Sequence, residues 1–396
     1  LSSALLALVS VPTQDAWALW GLKKKSRYDK KHSELTDTID LSGQFRGAYL
    51  QSAAHRPQGK LLWQVQTNGR VQSSPAALEG QAIYVADTAG TVLALAQDSG
   101  TALWTQSLGE AVEKSSPALD AYRLYIGTRQ GTLVALDRQS GEVRWRVKPG
   151  QPVDEASPPE TVSDRPVPGI IASPVVGHES VYVATRDGKI AALDDASGTQ
   201  KWLFESGSLV DASPFLAGSR LLVGDYDGHA YALNSKTGEK LWQFDGRGAI
   251  LASPVAAGSL ALFATTRGQL YALSAQNGHL KWSYLTPSQA SIYGTPAIYK
   301  NYLVIGDTEG RVTCLNLANG KLVWQVSLEG ALLASPAVVD SVVYLGTGSG
   351  TVSALKVETG EVLWSENYKS MIESSALVRD GRLFFGTGNG RFFAVE

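Results

Sequence analysis

Cysteine is nearly absent: the 396 residues contain one, Cys314. A single cysteine rules out an intrachain disulfide framework and any metal site built from several thiolates. Histidine is scarce and dispersed, and His32, His55, His178, His229 and His279 share no metal-ligand spacing. Neither charge sign is in excess. The 35 basic and 37 acidic side chains leave a formal net charge of −2, so no basic face for nucleic acid is implied. No window keeps a helical apolar period over twelve residues, which excludes long amphipathic helices. Glycine, by contrast, is plentiful at 40 residues, as suits a turn-rich all-β chain.

The glycines belong to a repeat. Residues 135–145, Ala135-Leu136-Asp137-Arg138-Gln139-Ser140-Gly141-Glu142-Val143-Arg144-Trp145, read as a strand end, a tight turn and a new strand. Asp137 can fold its carboxylate onto nearby backbone N–H groups, and Gly141 can take the positive φ of a short hairpin. The pattern returns at 192–202, 232–242, 272–282 and 354–364, and more loosely at 94–104 and 314–324. With Trp63, eight tryptophans stand in register: Trp63, Trp104, Trp145, Trp202, Trp242, Trp282, Trp324 and Trp364. Their spacings are 41, 41, 57, 40, 40, 42 and 40, so one repeat carries about sixteen inserted residues. Cys314 falls in the slot that Ala94, Ala135, Ala192, Ala232, Ala272, Ala354 and Ala394 hold elsewhere, which reads as a small core position.

Each repeat has four apolar segments. The first holds Ser-Pro or its equivalent, as at Ser74-Pro75, Ser253-Pro254 and Thr295-Pro296; the eighth copy has Ser375-Ala376. The fourth carries the tryptophan, expected to be buried between units with its indole N–H on a neighbouring backbone oxygen. Four-stranded units of about 40 residues, repeated eight times, predict an all-β, eight-bladed β-propeller over residues 59–396. The series begins with an outer strand and ends with an inner triplet. Leu61 to Val65 are therefore expected to pair with Phe393, Ala394 and Val395 and close the ring, hiding two strand edges.

Residues 1–18 read as the end of a secretory leader, with Ala16-Trp17-Ala18 fitting a small-x-small cleavage site; the alternative is an apolar tail. The apolar run at 1–11 is too short to span a bilayer. Trp17 and Trp20 are not expected to be buried. Residues 19–58 read as a basic arm, with Lys23-Lys24-Lys25 at its head, and a polar linker.

The Ala-Leu-Asp-x-x-Ser/Thr-Gly-x-x-x-Trp string resembles the tryptophan-docking repeat of the PQQ-type propeller superfamily. WD40 is disfavoured, since no Trp-Asp or Gly-His pair recurs. Two branches share the repeat: quinoprotein dehydrogenases, and a cofactor-free scaffold branch known from the BamB subunit of the outer-membrane β-barrel assembly machinery. An eight-bladed secreted chain of this size resembles the second. That resemblance implies a periplasmic protein-binding scaffold, with no enzyme activity and no cofactor. Its partners would be envelope proteins such as the barrel-assembly core subunit, and contact with membrane would be peripheral at most. No lipobox cysteine is present, and the docking loops of that subunit are not recognisable. A structural propeller of another envelope or secretion complex is the alternative, and a PQQ-dependent enzyme is a further one. Quinoprotein alcohol dehydrogenases carry an adjacent cysteine pair and Ca²⁺ ligands in the axial funnel, and one cysteine cannot supply the pair.

No catalytic constellation is evident. The Ser-Pro repeats lack the Gly-x-Ser-x-Gly frame of a nucleophile elbow. Asp225-Tyr226-Asp227-Gly228 has the start of a Ca²⁺ loop without its downstream glutamate, and reads as a hairpin turn. Binding features are more informative. The residue three before each Ser-Pro proline varies in kind: Gln72, Lys114, Ile171, Asp211, Leu251, Tyr293, Leu333 and Glu373. In a closed ring these surround one mouth of the channel. Leu251, Tyr293 and Leu333 then form an apolar arc on three successive blades, a candidate partner site; the alternative is that their own loops cover them. The insertion, 150–169, has five prolines, the acids Asp154, Glu155, Glu160 and Asp164, and Arg165. It should lie on the same face, either as a functional loop or as a tolerated insertion.

Overall fold

The computed structural model describes residues 56–78, 82–150 and 169–396. Over these the chain is an eight-bladed β-propeller. Seven blades are four-stranded antiparallel sheets. Blade one has Ala82–Ala86, Thr91–Ala96 and Ala102–Ser107, with its innermost position marked by a bridge between Ala76 and Tyr84. The expected closure is present. Leu61–Gln66 pairs antiparallel with Arg391–Val395, with Leu61 opposite Val395 and Trp63 opposite Ala394, so blade eight joins the two ends of the described chain.

The strand patterns follow from this stacking. Second and third strands are covered on both faces by neighbouring blades, so they are apolar without alternation. In Ala82–Ala86 the side chains of both parities, Ile83 and Val85 as well as Tyr84 and Ala86, are buried. Outer strands have solvent along one edge and alternate, as in Ala102–Ser107. A small residue stands opposite each tryptophan inside its own blade, Ala232 opposite Trp242 and Cys314 opposite Trp324. Cys314 is fully buried there.

At the axis, the Ser-Pro serines form a belt. The backbone N–H of Ser74 donates to the Ser116 hydroxyl at 2.9 Å, Ser116 to Ser173 at 2.9 Å, Ser173 to Ser213 at 2.8 Å and Ser213 to Ser253 at 3.2 Å. Thr295 donates to Ser335 and Ser335 to Ser375, both at 2.9 Å, and Ser375 returns to Ser74 at 3.1 Å. The first strands are short and begin after these serines, whose N–H groups point to the adjacent blade. A hydroxyl borrowed from the next blade satisfies them where a ladder partner is missing.

The tryptophans lock each blade to the next. Trp104 Nε1 donates to the Arg138 carbonyl at 3.0 Å, Trp202 to Ser235 at 3.0 Å and Trp242 to Ala275 at 3.1 Å; Trp63, Trp145, Trp282 and Trp324 do the same with Gln97, Asp195, Leu317 and Val357. Each accepting residue lies in the hairpin turn of the following blade. Trp364 instead reaches the Pro57 carbonyl at 2.7 Å. Full burial of all eight indoles is corrected by the structure. Trp202 and Trp242 are 9% and 7% exposed, and the other six are half-buried. The reason is their place on edge strands: the next blade's turn covers one indole face, and the strand's outer edge stays open to water.

Candidate functional site

The loop entering seven of the blades carries a buried aliphatic anchor, such as Ile250, Ile292 or Leu332, immediately before a rim residue; in blade two Glu113 stands between the anchor Val112 and Lys114. The anchors fill space under the preceding blade. A Cβ on Gly224 would lie 2.2 Å from Ile250, and one on Gly306 would lie 2.8 Å from Leu332. Leu251, Tyr293 and Leu333 stand two residues before Ser253, Thr295 and Ser335, three consecutive positions around the axis. Tyr293 is 39% exposed, while Leu251 and Leu333 are half-buried. Met371, 45% exposed, stands just before the anchor Ile372 at the entry to blade eight, a further exposed apolar side chain. Sequence reasoning missed it because Glu373 was the position counted for that blade.

The remaining rim is polar. Gln72 donates to the Glu373 carboxylate at 2.7 Å, between blades one and eight. Asp211 accepts from the Tyr226 hydroxyl at 3.2 Å and lies 3.1 Å from the Arg186 guanidinium, by proximity rather than in an aligned hydrogen bond. Lys114 is exposed. Asp154, Glu155 and Arg165 lie outside the described residues, as do Trp17, Trp20 and the leader. The insertion's flanks are described: Gly150 donates to the Gln200 side chain at 2.8 Å, and Gly169 accepts from the Arg186 N–H at 2.8 Å. In other blades the residue equivalent to Gly169 sits beside the rim, as Ala249 does in accepting from the Thr266 N–H at 2.9 Å.

Other candidates resolve into structure. Burial pushes the Cys314 thiol up to about 12, which leaves no thiolate at neutral pH. Asp225 closes a hairpin turn: its carboxylate accepts from the His229 N–H at 2.9 Å and the Tyr231 hydroxyl at 2.9 Å, and meets His229 Nδ1 at 3.0 Å. Among the described residues, no three His, Cys, Asp or Glu side chains are grouped to hold a metal ion.

No curated protein matches the chain. In four overlapping stretches, residues 48–161, 88–213, 204–331 and 308–396, the sequence matches the family described as outer membrane protein assembly factor BamB. Among solved structures, BamB from Moraxella catarrhalis is similar with a TM-score of 0.71 at 20% identity, over 85% of this chain and 99% of that one. The quinohemoprotein alcohol dehydrogenase from Comamonas testosteroni has a TM-score of 0.71 at 14% identity, over 89% of this chain and 78% of that one. A europium-containing methanol dehydrogenase has 0.70 at 12%, over 91% and 100%. At these identities the structural likeness is one of fold alone.

Proposed function

Since the chain belongs to the family of the outer membrane protein assembly factor BamB, we propose that it is a non-catalytic, periplasmic protein-binding scaffold in outer-membrane β-barrel assembly. The observation that carries this reading is the apolar arc of Leu251, Tyr293 and Leu333, with Met371 exposed at the entry to blade eight. It sits on a rigid rim whose backbone is already satisfied by the belt and the blade turns. Exposed apolar groups clustered at one mouth of a rigid ring suit a partner's apolar anchors. The partner we favour is the core subunit of the barrel-assembly machinery, and the insertion carrying Asp154, Glu155 and Arg165 would add a polar flank to the same face.

The test is calorimetric titration of that purified subunit into wild type and into Leu251→Asp combined with Leu333→Asp. Both leucines are half-buried on loops, so the double variant should melt close to wild type. Loss of a central apolar anchor costs about 2 kcal/mol or more, so affinity should fall at least roughly thirtyfold. Equal affinity in both proteins would remove the rim from the reading. Binding by neither, with another envelope protein captured in an arc-dependent way, would favour a scaffold of a different envelope complex. The fold shared with the dehydrogenases motivates one control: reconstitution with PQQ and Ca²⁺, read by quinone absorbance, should give no bound cofactor.

A further inference from the structure

Between blades seven and eight the ring contains a pocket of about 350 Å³. Its walls come from Val342 and Tyr344 of the second strand of blade seven, Leu363 and Trp364 of its outer strand, and the incoming segment Arg56, Pro57 and Gln58. Its origin is the seam. Elsewhere a continuous hairpin turn seals this junction. In blade one the Arg138 carbonyl of the next turn accepts from both Trp104 and the Tyr84 hydroxyl, at 3.0 and 3.2 Å. In blade two the Asp195 carbonyl accepts from Trp145 and Tyr125, at 3.2 and 3.1 Å. At the seam the turn is assembled from two segments distant in sequence. Among the described residues the Pro57 carbonyl takes Trp364 alone. Tyr344, only 1% exposed, makes no hydrogen bond with its hydroxyl among the described residues, and it lines the pocket.

Among the described residues the Tyr344 hydroxyl is not one of the sealed, unpartnered polar atoms, so it is open to the pocket and able to hydrogen-bond an occupant there. The pocket around it has mixed walls, with Val342, Leu363 and Trp364 supplying the apolar part, and a single charged group lines it: the Arg56 guanidinium, which donates to the Asp340 carbonyl at 3.1 Å through one nitrogen. Its other N–H groups form a planar donor set suited to two carboxylate oxygens. No acidic side chain lines the space. The volume lies at the lower end of the range of small-molecule sites. We propose that this seam pocket binds a small monocarboxylate with an apolar or aromatic body, its body against Val342, Leu363 and Trp364 and its oxygens toward Arg56 and the Tyr344 hydroxyl. The site is separate from the rim and does not depend on the scaffold reading. An occupant touches both sides of the seam, so binding should stabilise ring closure.

The probe is 3-phenylpropionate, titrated calorimetrically into the full chain, with its neutral amide as control. A ligand this small in a half-open pocket should bind once per chain with a dissociation constant on the order of 1 mM, the amide roughly tenfold more weakly. Arg56→Gln should weaken the acid roughly tenfold and leave the amide unchanged. Tyr344→Phe removes no bond within the protein. It should therefore melt as wild type does, yet bind the acid several-fold more weakly. Leu363→Glu, on an exposed strand edge, should fold normally and abolish binding of the acid. At saturation the acid should raise the melting temperature of wild type and not that of Leu363→Glu. The proposal is overturned if wild type shows no saturable binding, if acid and amide bind equally, or if Arg56→Gln and Leu363→Glu bind the acid as wild type does. A large loss of stability in Tyr344→Phe without ligand would overturn it too, by showing the hydroxyl already engaged.

Discussion

Gly238 has φ +74°, and a Cβ placed on it would lie 2.7 Å from the Trp202 indole. The same juxtaposition recurs around the ring, Gly100 against Trp63, Gly141 against Trp104 and Gly360 against Trp324. Two requirements thus meet in one residue: the left-handed conformation that shapes the turn, and the bare surface on which the previous blade's tryptophan lies flat. They can be separated. Gly207 also has positive φ, +83°, but a Cβ there would meet nothing within 4 Å. Gly207→Ala should cost only the backbone strain, about 1–2 kcal/mol. Gly238→Ala should cost that plus about 1–3 kcal/mol for displacing the indole. Urea midpoints of the two variants, compared at equal slope, measure the difference. Equal midpoints would mean that the tryptophan yields without loss and that docking contributes little to blade cohesion.

At the scale of the element, the closing strand Leu61–Gln66 and the residues just before it carry the ring's continuity. Pro57 supplies the acceptor for Trp364, Gly59 lies against the same indole with φ +89°, and Arg56 donates to Asp340. Deleting residues 1–55 should therefore leave the melting temperature nearly unchanged. Deleting 1–58 should lower it, by about 1–3 kcal/mol in stability, because a half-buried indole N–H loses its acceptor. Deleting 1–68 removes the outer strand with Trp63 and should destabilise the whole ring. A melting series in which all three truncations behave alike would show that closure does not run through this strand. What the sequence made legible here is what local residue type and counting control. The tryptophan register, the Asp-to-Gly turns and the unpaired strands at the two ends are all of that kind. The serine belt was not legible, because each hydroxyl serves an N–H at least 40 residues away, and 301 away between Ser74 and Ser375, and serine beside proline has local explanations enough. The seam pocket was not legible either, since it arises from a turn that is not continuous rather than from any motif. Of the rim, the apolar character of three positions could be read, but which neighbours are exposed depends on how each loop tilts, and Met371 surfaced only in three dimensions.

Across the whole molecule, the position of the seam is an accident of where the chain enters a closed ring, and that claim can be tested by moving it. In blade one, Ala96 donates to the Thr101 carbonyl at 2.8 Å across a turn of Gln97, Asp98, Ser99 and Gly100. At the seam, Glu396 donates to the Lys60 carbonyl at 2.8 Å, and the turn residues present are Pro57, Gln58 and Gly59. The correspondence places Glu396 on Ala96 and Lys60 on Thr101, one residue short of the standard turn. A permutant that joins Glu396 to Pro57 through one added residue should therefore restore an ordinary hairpin. It can be opened between Ala156 and Ser157, inside the insertion. Each blade still docks on the next through a tryptophan and a glycine turn, so the permutant should fold and melt in a single transition. Its stability should match or exceed that of wild type, because a pairing that spans the whole chain is replaced by a local one with lower closure entropy. The added residue offers a new backbone carbonyl at the position equivalent to Gln97, where Trp364 and the Tyr344 hydroxyl can both reach it. Two-step melting, or a permutant weaker than wild type by several kcal/mol, would show that the natural seam is a required starting point for the ring and not an interchangeable joint.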